Sequence, residues 1–418
     1  MRLPRRLQRF LIVFFISILL YRLYRRTFSS LHPSPPLPTT TFEPSFRAPA
    51  PAPTVPENLE RIFIAANLHD VAASFPAWSK SVLELVNLLG QKNVFLSIHE
   101  AGSRDGTKEL LQRFEGELDR KGINNRVVMD DEILEELKKE PKKYREGWTF
   151  TARKKWELRQ VPWQAKMRNK ALEPLEDDTV VNLEKYGMGV GWILFLGGGI
   201  YFNPVDILHL ISTNSGSFAA ACGLDFMNPP ELYDTFSLRD FYGRTPISPQ
   251  FPYFSEGDTR IALLRGDPAV LVKSCWNGLA LFRAAPFLPP TNLRFRSIDD
   301  SLAWYHVDAS ERCLIHYDNP DTPYKGVWLN PRVRVAYSET MWARVKEMPL
   351  EGWRRPKWIV KGEDNKAKLP RSNEAVESRV REWGQKENAV ECLVEGVQVA
   401  VWDGNGMKVN DAEEEEGR

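Results

Sequence analysis

Between Arg61 and Leu118 the chain alternates two periodicities, and this alternation restricts the fold more than any other feature. Ile62-Phe-Ile-Ala-Ala66 is a short, wholly apolar run, which predicts a buried strand. Trp78 to Leu89 carries apolar residues at helical spacing and is closed by Gly90 as a C-cap. Val94 to Ile98 predicts a second strand, followed by a turn from Glu100 to Gly106. A helix from about Thr107 to Leu118 then sets Leu110, Leu111, Phe114 and Leu118 on one face. Strand, helix, strand, helix in this register predicts an α/β fold around a mostly parallel, Rossmann-like sheet. Ligands are then expected at the carboxyl ends of its strands.

Further along, Val127 to Met129 reads as a third strand and the charged stretch Glu132 to Arg159 as a surface helix. Gln164 to Leu175 reads as another helix and Gly191 to Leu196 as a buried strand, which ends abruptly in Gly197, Gly198 and Gly199. After Asp206 the signals shorten and turn residues multiply. Beyond about Pro349 the chain turns polar, with a helix expected over Asn373 to Trp383, a strand pair over Val390 to Val401, and a solvated acidic end at Glu413 to Glu416.

The 418 residues are 43% hydrophobic and 11% aromatic, enough to fill a sizeable core, and the formal net charge of +1 gives no signal for nucleic acid. Arg2, Arg5, Arg6 and Arg9 precede an apolar run from Phe10 to Tyr21, with Arg22, Arg25 and Arg26 after it. The run, about twelve residues, is shorter than the roughly 20 needed to cross a full hydrocarbon core. It reads as a signal anchor with snorkelling arginines at both ends, a cleaved signal peptide and a peripheral or soluble segment being the alternatives. The Pro-, Ser- and Thr-rich stretch that follows cannot bury enough apolar surface to fold and reads as a stem. The expected organisation is a tail and anchor over 1–26, a stem over 27–58, a folded domain over 59–348 and a polar extension over 349–418. That order suits a type II membrane protein with a lumenal folded domain. Cys222, Cys275, Cys313 and Cys392 allow one or two bridges, with the pairing open, and show no zinc spacing.

Several ordered blocks carry a family resemblance. They are Phe63-Ile-Ala-Ala-Asn-Leu68, Asn93-Val-Phe-Leu-Ser-Ile98, Gly102-Ser-Arg-Asp-Gly-Thr107 and Arg168-Asn-Lys-Ala-Leu172. Ala221-Cys-Gly-Leu-Asp-Phe226, Tyr233-Asp-Thr-Phe-Ser-Leu-Arg-Asp240, Ser274-Cys-Trp-Asn-Gly278 and Leu293-Arg-Phe-Arg296 follow. Ala309-Ser-Glu-Arg-Cys-Leu-Ile-His316 and Asn330-Pro-Arg-Val-Arg-Val-Ala-Tyr337 complete the series. From about Arg61 to Tyr337 the chain resembles the fungal capsule-associated α-1,3-mannosyltransferases, the cryptococcal mannosyltransferase family (glycosyltransferase family 69). The resemblance implies a GT-A-like fold and a Golgi glycosyltransferase that moves mannose from GDP-mannose to a glycan with retention of configuration. Two departures stand out. Where the family usually reads Phe-Leu-Asn-Asp-Val, this chain has Phe195-Leu-Gly-Gly-Gly199, so Gly198 replaces an aspartate. Where the family usually has two adjacent cysteines after Ser-Glu, this chain has Arg312 and Cys313.

Glycosyl transfer needs the donor diphosphate neutralised, and a cation such as Mn2+ or Mg2+ held by carboxylates commonly does this. With Gly198 in place of the acid, three readings stay open: neutralisation without metal by Lys, Arg or a helix N-terminus, a metal held by other groups, or a catalytically impaired chain that binds donor or glycan. Asp206, Asp225 and His316 are the candidate metal ligands. For the donor, the candidates are Asn67, Glu100, Asp105, Arg168, Gly198, Asp240, Trp276, Asn277 and His316. Asp105 doubles as an N-cap for the helix near Thr107, and Trp276 with Asn277 offers a ring platform beside an amide. Glu311 and Asp225 are the candidate catalytic carboxylates, placed to stabilise an oxocarbenium-like state. Ser310 to His316 is expected to run as a strand, with Glu311, Cys313 and Ile315 on one face and His316 on the other.

Overall fold

The computed structural model describes residues 54–56, 59–131, 140–176, 189–348, 374–402 and 407–412. The expected anchor, the stem up to residue 53 and the acidic end lie outside the described residues. Among the described residues no helix is long and apolar enough to cross a membrane.

The alternation read from the sequence builds the first half of a large sheet. It runs β1 Arg61–Leu68, α1 Phe75–Leu89, β2 Val94–Ala101, α2 Thr107–Arg120 and β3 Asn124–Asp130. Gly90, at φ 86°, ends α1 in a conformation that L side chains disfavour. Short strands β4 Trp148–Phe150 and β5 Trp156–Arg159 come next, then α3 Gln160–Leu172, β6 Val190–Gly197 and α4 Pro204–Ile211. β7 Ala220–Asn228, β8 Glu231–Leu232, α5 Gly257–Arg265, β9 Val270–Val272 and β10 Leu279–Arg283 follow. The remainder includes β11 Val307–Ala309, α6 Glu311–Asp318, β12 Val327–Ala336, α7 Glu339–Glu347, α8 Glu374–Trp383, β13 Leu393–Glu395, β14 Gln398–Trp402 and β15 Met407–Asp411.

The main sheet has the order β3-β2-β1-β6-β10-β7-β12-β9, with β8 on β7. β3, β2, β1 and β6 are mutually parallel, β10 runs antiparallel between β6 and β7, and β12 is parallel to β7. The sheet is thus mixed and mostly parallel, as the alternation predicts. Side chains alternate along each strand, so β1 sends Ile62, Ile64, Ala66 and Leu68 to a core shared with α1, α2 and α4. Phe63 and Ala65 go to the opposite core, with Ala165, Ala171 and Leu172 of α3.

Three local expectations need correction. The stretch expected as a surface helix up to Arg159 contains β4 and β5, and residues 132–139 of it lie outside the described residues. β5 pairs with β14, so strand pairing across some 240 residues overrides local helical propensity there. Ser310 to His316 is not a strand. Ser310 caps α6 by accepting from the Arg312 N–H, and Cys313, Leu314, Ile315 and His316 are buried in succession, which no alternating strand explains. The strand pair expected over Val390 to Val401 does not form: β13 pairs with β11, and β14 with β5 and β15. Ala52–Arg418 forms one compact unit, and Cys313–Cys392 ties the C-terminal segment to α6.

Candidate active site

The carboxyl edge of the sheet holds a pocket of about 230 Å3. Asn67 and Leu68 border it from the end of β1, Ala101 from β2, Leu196 and Gly197 from β6, and Gly278 from just before β10. Arg168 of α3, Trp276, Arg312 and Tyr337 complete the wall. The chain runs outward from β1 through β2 to β3 and returns to the other side of β1 as β6. Strand order therefore reverses between β1 and β6, the crevice where open α/β sheets take ligands.

The three glycines are packed shut against this edge. A β-carbon at Gly198 would collide with the Asn67 carbonyl oxygen and lie 2.9 Å from Leu68 Cδ2; one at Gly197 would lie 2.6 Å from the Gly278 carbonyl oxygen. Gly199 sits at φ 71°, with Ser74 where a side chain would begin. The Gly197 N–H donates to the Gly278 carbonyl at 2.8 Å, and the Trp78 indole donates to the Gly197 carbonyl at 3.0 Å. Glycine is thus what the surrounding backbone requires, and an acid cannot be added without moving β1.

Two guanidinium groups face the pocket, each tethered from behind by a buried carboxylate. Arg168 Nε donates to Glu311 Oε1 at 2.9 Å, and its guanidinium carbon lies 4.5 Å from the Trp276 ring centroid. Arg312 Nη1 donates to Asp234 Oδ2 at 3.1 Å, and its Nε is 3.3 Å from Glu311 Oε1. Their side chains keep 17% and 22% exposure while that of Glu311 has none. Burial draws the Arg168 pKa below its ordinary value. Burial also opposes the charge of Arg312, but Asp234 and Glu311 outweigh it and hold the pKa above the ordinary value. Arginine stays protonated in both settings. Both terminal nitrogens of Arg168 and the second terminal nitrogen of Arg312 have no partner among the described residues.

Asp225, near the end of β7, lies one layer behind this wall. Its carboxylate accepts from the Tyr337 hydroxyl at 2.7 Å, Asn277 Nδ2 at 3.1 Å and the Asp234 N–H at 3.0 Å. Burial, and then the charge of Asp234, push its pKa up to about 6. Neither Glu311 nor Asp225 lines the pocket: the first orients Arg168 and Arg312, the second orients Tyr337 and Asn277.

Of the expected donor residues, Asn67, Arg168, Gly198 and Trp276 meet at the pocket. Asn67 also donates through Nδ2 to the Met167 carbonyl at 2.6 Å, fixing α3 to the end of β1. Asn277 turns its amide away to Asp225. Glu100 accepts from the Ser103 N–H, and burial raises its pKa. Asp105 is not the N-cap expected of it: Gly106, in the left-handed region, holds that position with no side-chain cap. Asp105 instead accepts from the Thr107 N–H at 3.1 Å and the Ala72 N–H at 2.8 Å, so it joins the β1–α1 and β2–α2 loops. Asp240 lies away from the pocket and accepts from Arg244 Nε at 2.7 Å. His316 is fully buried, hydrogen-bonded through Nε2 to the Cys275 carbonyl at 2.7 Å and stacked on Phe282; burial lowers its pKa to about 4. It lines a separate cavity with Tyr324 and Trp328, so a donor contact does not follow from its place. Arg312 and Tyr337 were not among the candidates. A helical reading of Ser310 to His316 would have put Arg312 in a capped first turn beside Glu311.

Mn2+ and Mg2+ take oxygen ligands, chiefly carboxylates. No carboxylate lines the pocket, and among the described residues no group of three His, Cys, Asp or Glu side chains is placed to hold an ion. Asp206, Asp225 and His316 do not converge: Asp206 sits in the first turn of α4, where burial raises its pKa to about 7. The residues present do not fit a carboxylate-held cation at this pocket.

The family model described as Cryptococcal mannosyltransferase 1 matches residues 61–318, the stretch that builds the pocket up to α6. The chain belongs to this family. A curated relative within reach of the mannosyltransferase family is the α-1,3-mannosyltransferase CMT1 of Cryptococcus neoformans, 27% identical over 299 residues. The match takes in 66% of this chain and 58% of that protein, so the chain spans less than two thirds of the relative's length. Among solved structures, the mannosyltransferase PcManGT of Pyrobaculum calidifontis, in complex with GDP-Man and Mn2+, aligns with a TM-score of 0.37 at 11% identity, over 82% of this chain and 81% of its own. TarS of S. aureus aligns at 0.34 and 11% identity, over 69% of this chain and 38% of its own.

Proposed function

We propose that the chain is a glycosyltransferase of GT-A type that moves mannose from GDP-mannose to a glycan hydroxyl. The observation that carries this reading is the pair of guanidinium groups, Arg168 and Arg312, at the switch-point crevice of a chain in a mannosyltransferase family. A diphosphate is the dianionic group such a pair suits, while Trp276, buried among Phe195, Phe282 and Phe295, backs the Arg168 guanidinium rather than offering a ring platform. In transfer, the bond between the anomeric carbon and the β-phosphate oxygen breaks, and its electron pair stays on that oxygen. The acceptor hydroxyl oxygen bonds to the anomeric carbon. With no carboxylate in the pocket wall, the departing phosphate oxygen is the base at hand for the hydroxyl proton. Attack on the face the phosphate leaves then retains configuration. The larger polar cleft of about 1000 Å3 on the other face of α3, which shares Trp163 with the pocket, suits the acceptor.

A type II Golgi placement with the folded part lumenal belongs to the same proposal. Its support is the arginine-flanked apolar run and the two disulfides, Cys222–Cys275 and Cys313–Cys392, which suit an oxidising compartment. One observation favours a second reading, a donor-binding protein without turnover: the absence of any carboxylate from the pocket wall. The test is to incubate the purified full chain with GDP-mannose and a panel of α-mannosides, following GDP release and mannosylated product. Product that disappears in Arg312→Ala, while that variant melts with the wild type, supports transfer. GDP-mannose bound without turnover selects the second reading, and no binding of it overturns both.

A further inference from the structure

We propose that Arg168 and Arg312 together take the place of a divalent cation, so that this chain binds its donor diphosphate without metal. The inference rests on the reading of the pocket as a nucleotide-sugar site and names what recognises the diphosphate there.

Three independent features converge on it. The strand end that could carry a metal-holding acid is sterically closed, since side chains at Gly197 and Gly198 would strike the Gly278 and Asn67 carbonyls. The pocket wall contains two arginines and no carboxylate. Each arginine is held by one edge and keeps donors to spare: Glu311 takes Arg168 Nε, Asp234 takes Arg312 Nη1, and three terminal nitrogens have no partner among the described residues. Two donor-bearing planes fixed this way suit the several oxygens of a diphosphate, whereas a monophosphate engages only part of the set. Glu311 touches both guanidinium groups, so it keeps two like charges together in the empty pocket. It acts as a positioning residue. When the nucleoside diphosphate departs, the negative charge left on its β-phosphate oxygen falls to these same donors, fixed before the reaction begins.

The experiment measures GDP, UDP and GMP affinity of the purified full chain by calorimetry, in EDTA and again in Mn2+. GDP, or UDP if the base preference lies there, is expected to bind equally well within about twofold in both conditions. GMP is expected to bind at least tenfold more weakly. Arg312→Ala should weaken diphosphate binding roughly tenfold to hundredfold, as loss of a charge-assisted contact does, and change GMP binding much less. Arg312→Lys, which keeps the charge, should recover part of the loss, and thermal melting of each variant separates misfolding from lost recognition. Diphosphate binding that falls tenfold or more in EDTA and returns with Mn2+ overturns the inference while leaving the donor pocket in place. This arm needs no variant. Failure of both GDP and UDP to bind in either condition overturns the donor-pocket reading itself, and the inference with it.

Discussion

Gly198→Asp restores the residue that the family resemblance expects, and the structure predicts that it harms the protein. The β1–β6 register pairs Asn67 with Gly197, leaving the next residue hard against the β1 carbonyl. A β-carbon at 198 meets the Asn67 carbonyl oxygen and the Leu68 side chain, and the first of these is backbone that cannot rotate away. Overpacking of this kind costs about 1–3 kcal/mol. Gly198→Ala carries the same β-carbon without charge, so most of the penalty should appear in it already. For a folded unit of this size, 1–3 kcal/mol lowers Tm by roughly 1–4 °C. Thermal unfolding of the wild type and both variants, followed by far-ultraviolet circular dichroism, measures it. Both variants are expected to melt lower, and Gly198→Asp to show no Mn2+-dependent release of GDP from GDP-mannose. Gly198→Ala melting with the wild type would refute the close-packing argument. A stable Gly198→Asp with metal-dependent turnover would show that the glycine marks a simple loss.

Two further outcomes follow from the tertiary contacts. Cys313–Cys392 closes 79 residues, for which loop entropy gives about 4 kcal/mol; Cys392→Ser should cost 2–5 kcal/mol in urea unfolding and weaken GDP binding, because Arg312 adjoins Cys313, and unchanged affinity in the folded variant would argue against that coupling. His316 has a folded pKa of about 4 against an unfolded value near 6.5, so the unfolded chain takes the proton first as pH falls. Its contribution is present above about pH 6.5 and lost towards pH 4, amounting to about 2 kcal/mol by pH 5. The stability gap between wild type and His316→Gln should therefore narrow between pH 7.5 and 5, and a gap independent of pH would refute the neutral, buried assignment.

The residues whose placement was legible in advance are those whose environment is set by near neighbours. The alternation from Arg61 to Leu118 foretold β1, α1, β2 and α2 because strand and helix periods are properties of consecutive residues. It also pointed to the carboxyl edge, and Asn67, Arg168, Gly198 and Trp276 meet there. Ser310 to His316 departs from the expected strand because a short apolar run fits either period, and the Ser310 cap, a local signal, decides for the helix. β4 and β5 differ from expectation for another reason: they form a hairpin whose inner strand, β5, is held by β14 some 240 residues on.

By itself, then, the sequence determined the sheet's first strands and helices, the glycine run that ends β6, and the family to which the chain belongs. These depend on backbone preference and side-chain period, which act over a few residues. Only the tertiary structure decided which cysteines pair, that the glycines are closed in by Asn67 and Gly278, and that Glu311 serves the arginines. It alone brought Arg168 to Glu311 across 143 positions in the chain, and so placed Arg312 in the same wall. A charge pair at that separation exists only once the two cores have packed α3 and α6 together, because no local preference selects between one distant carboxylate and another.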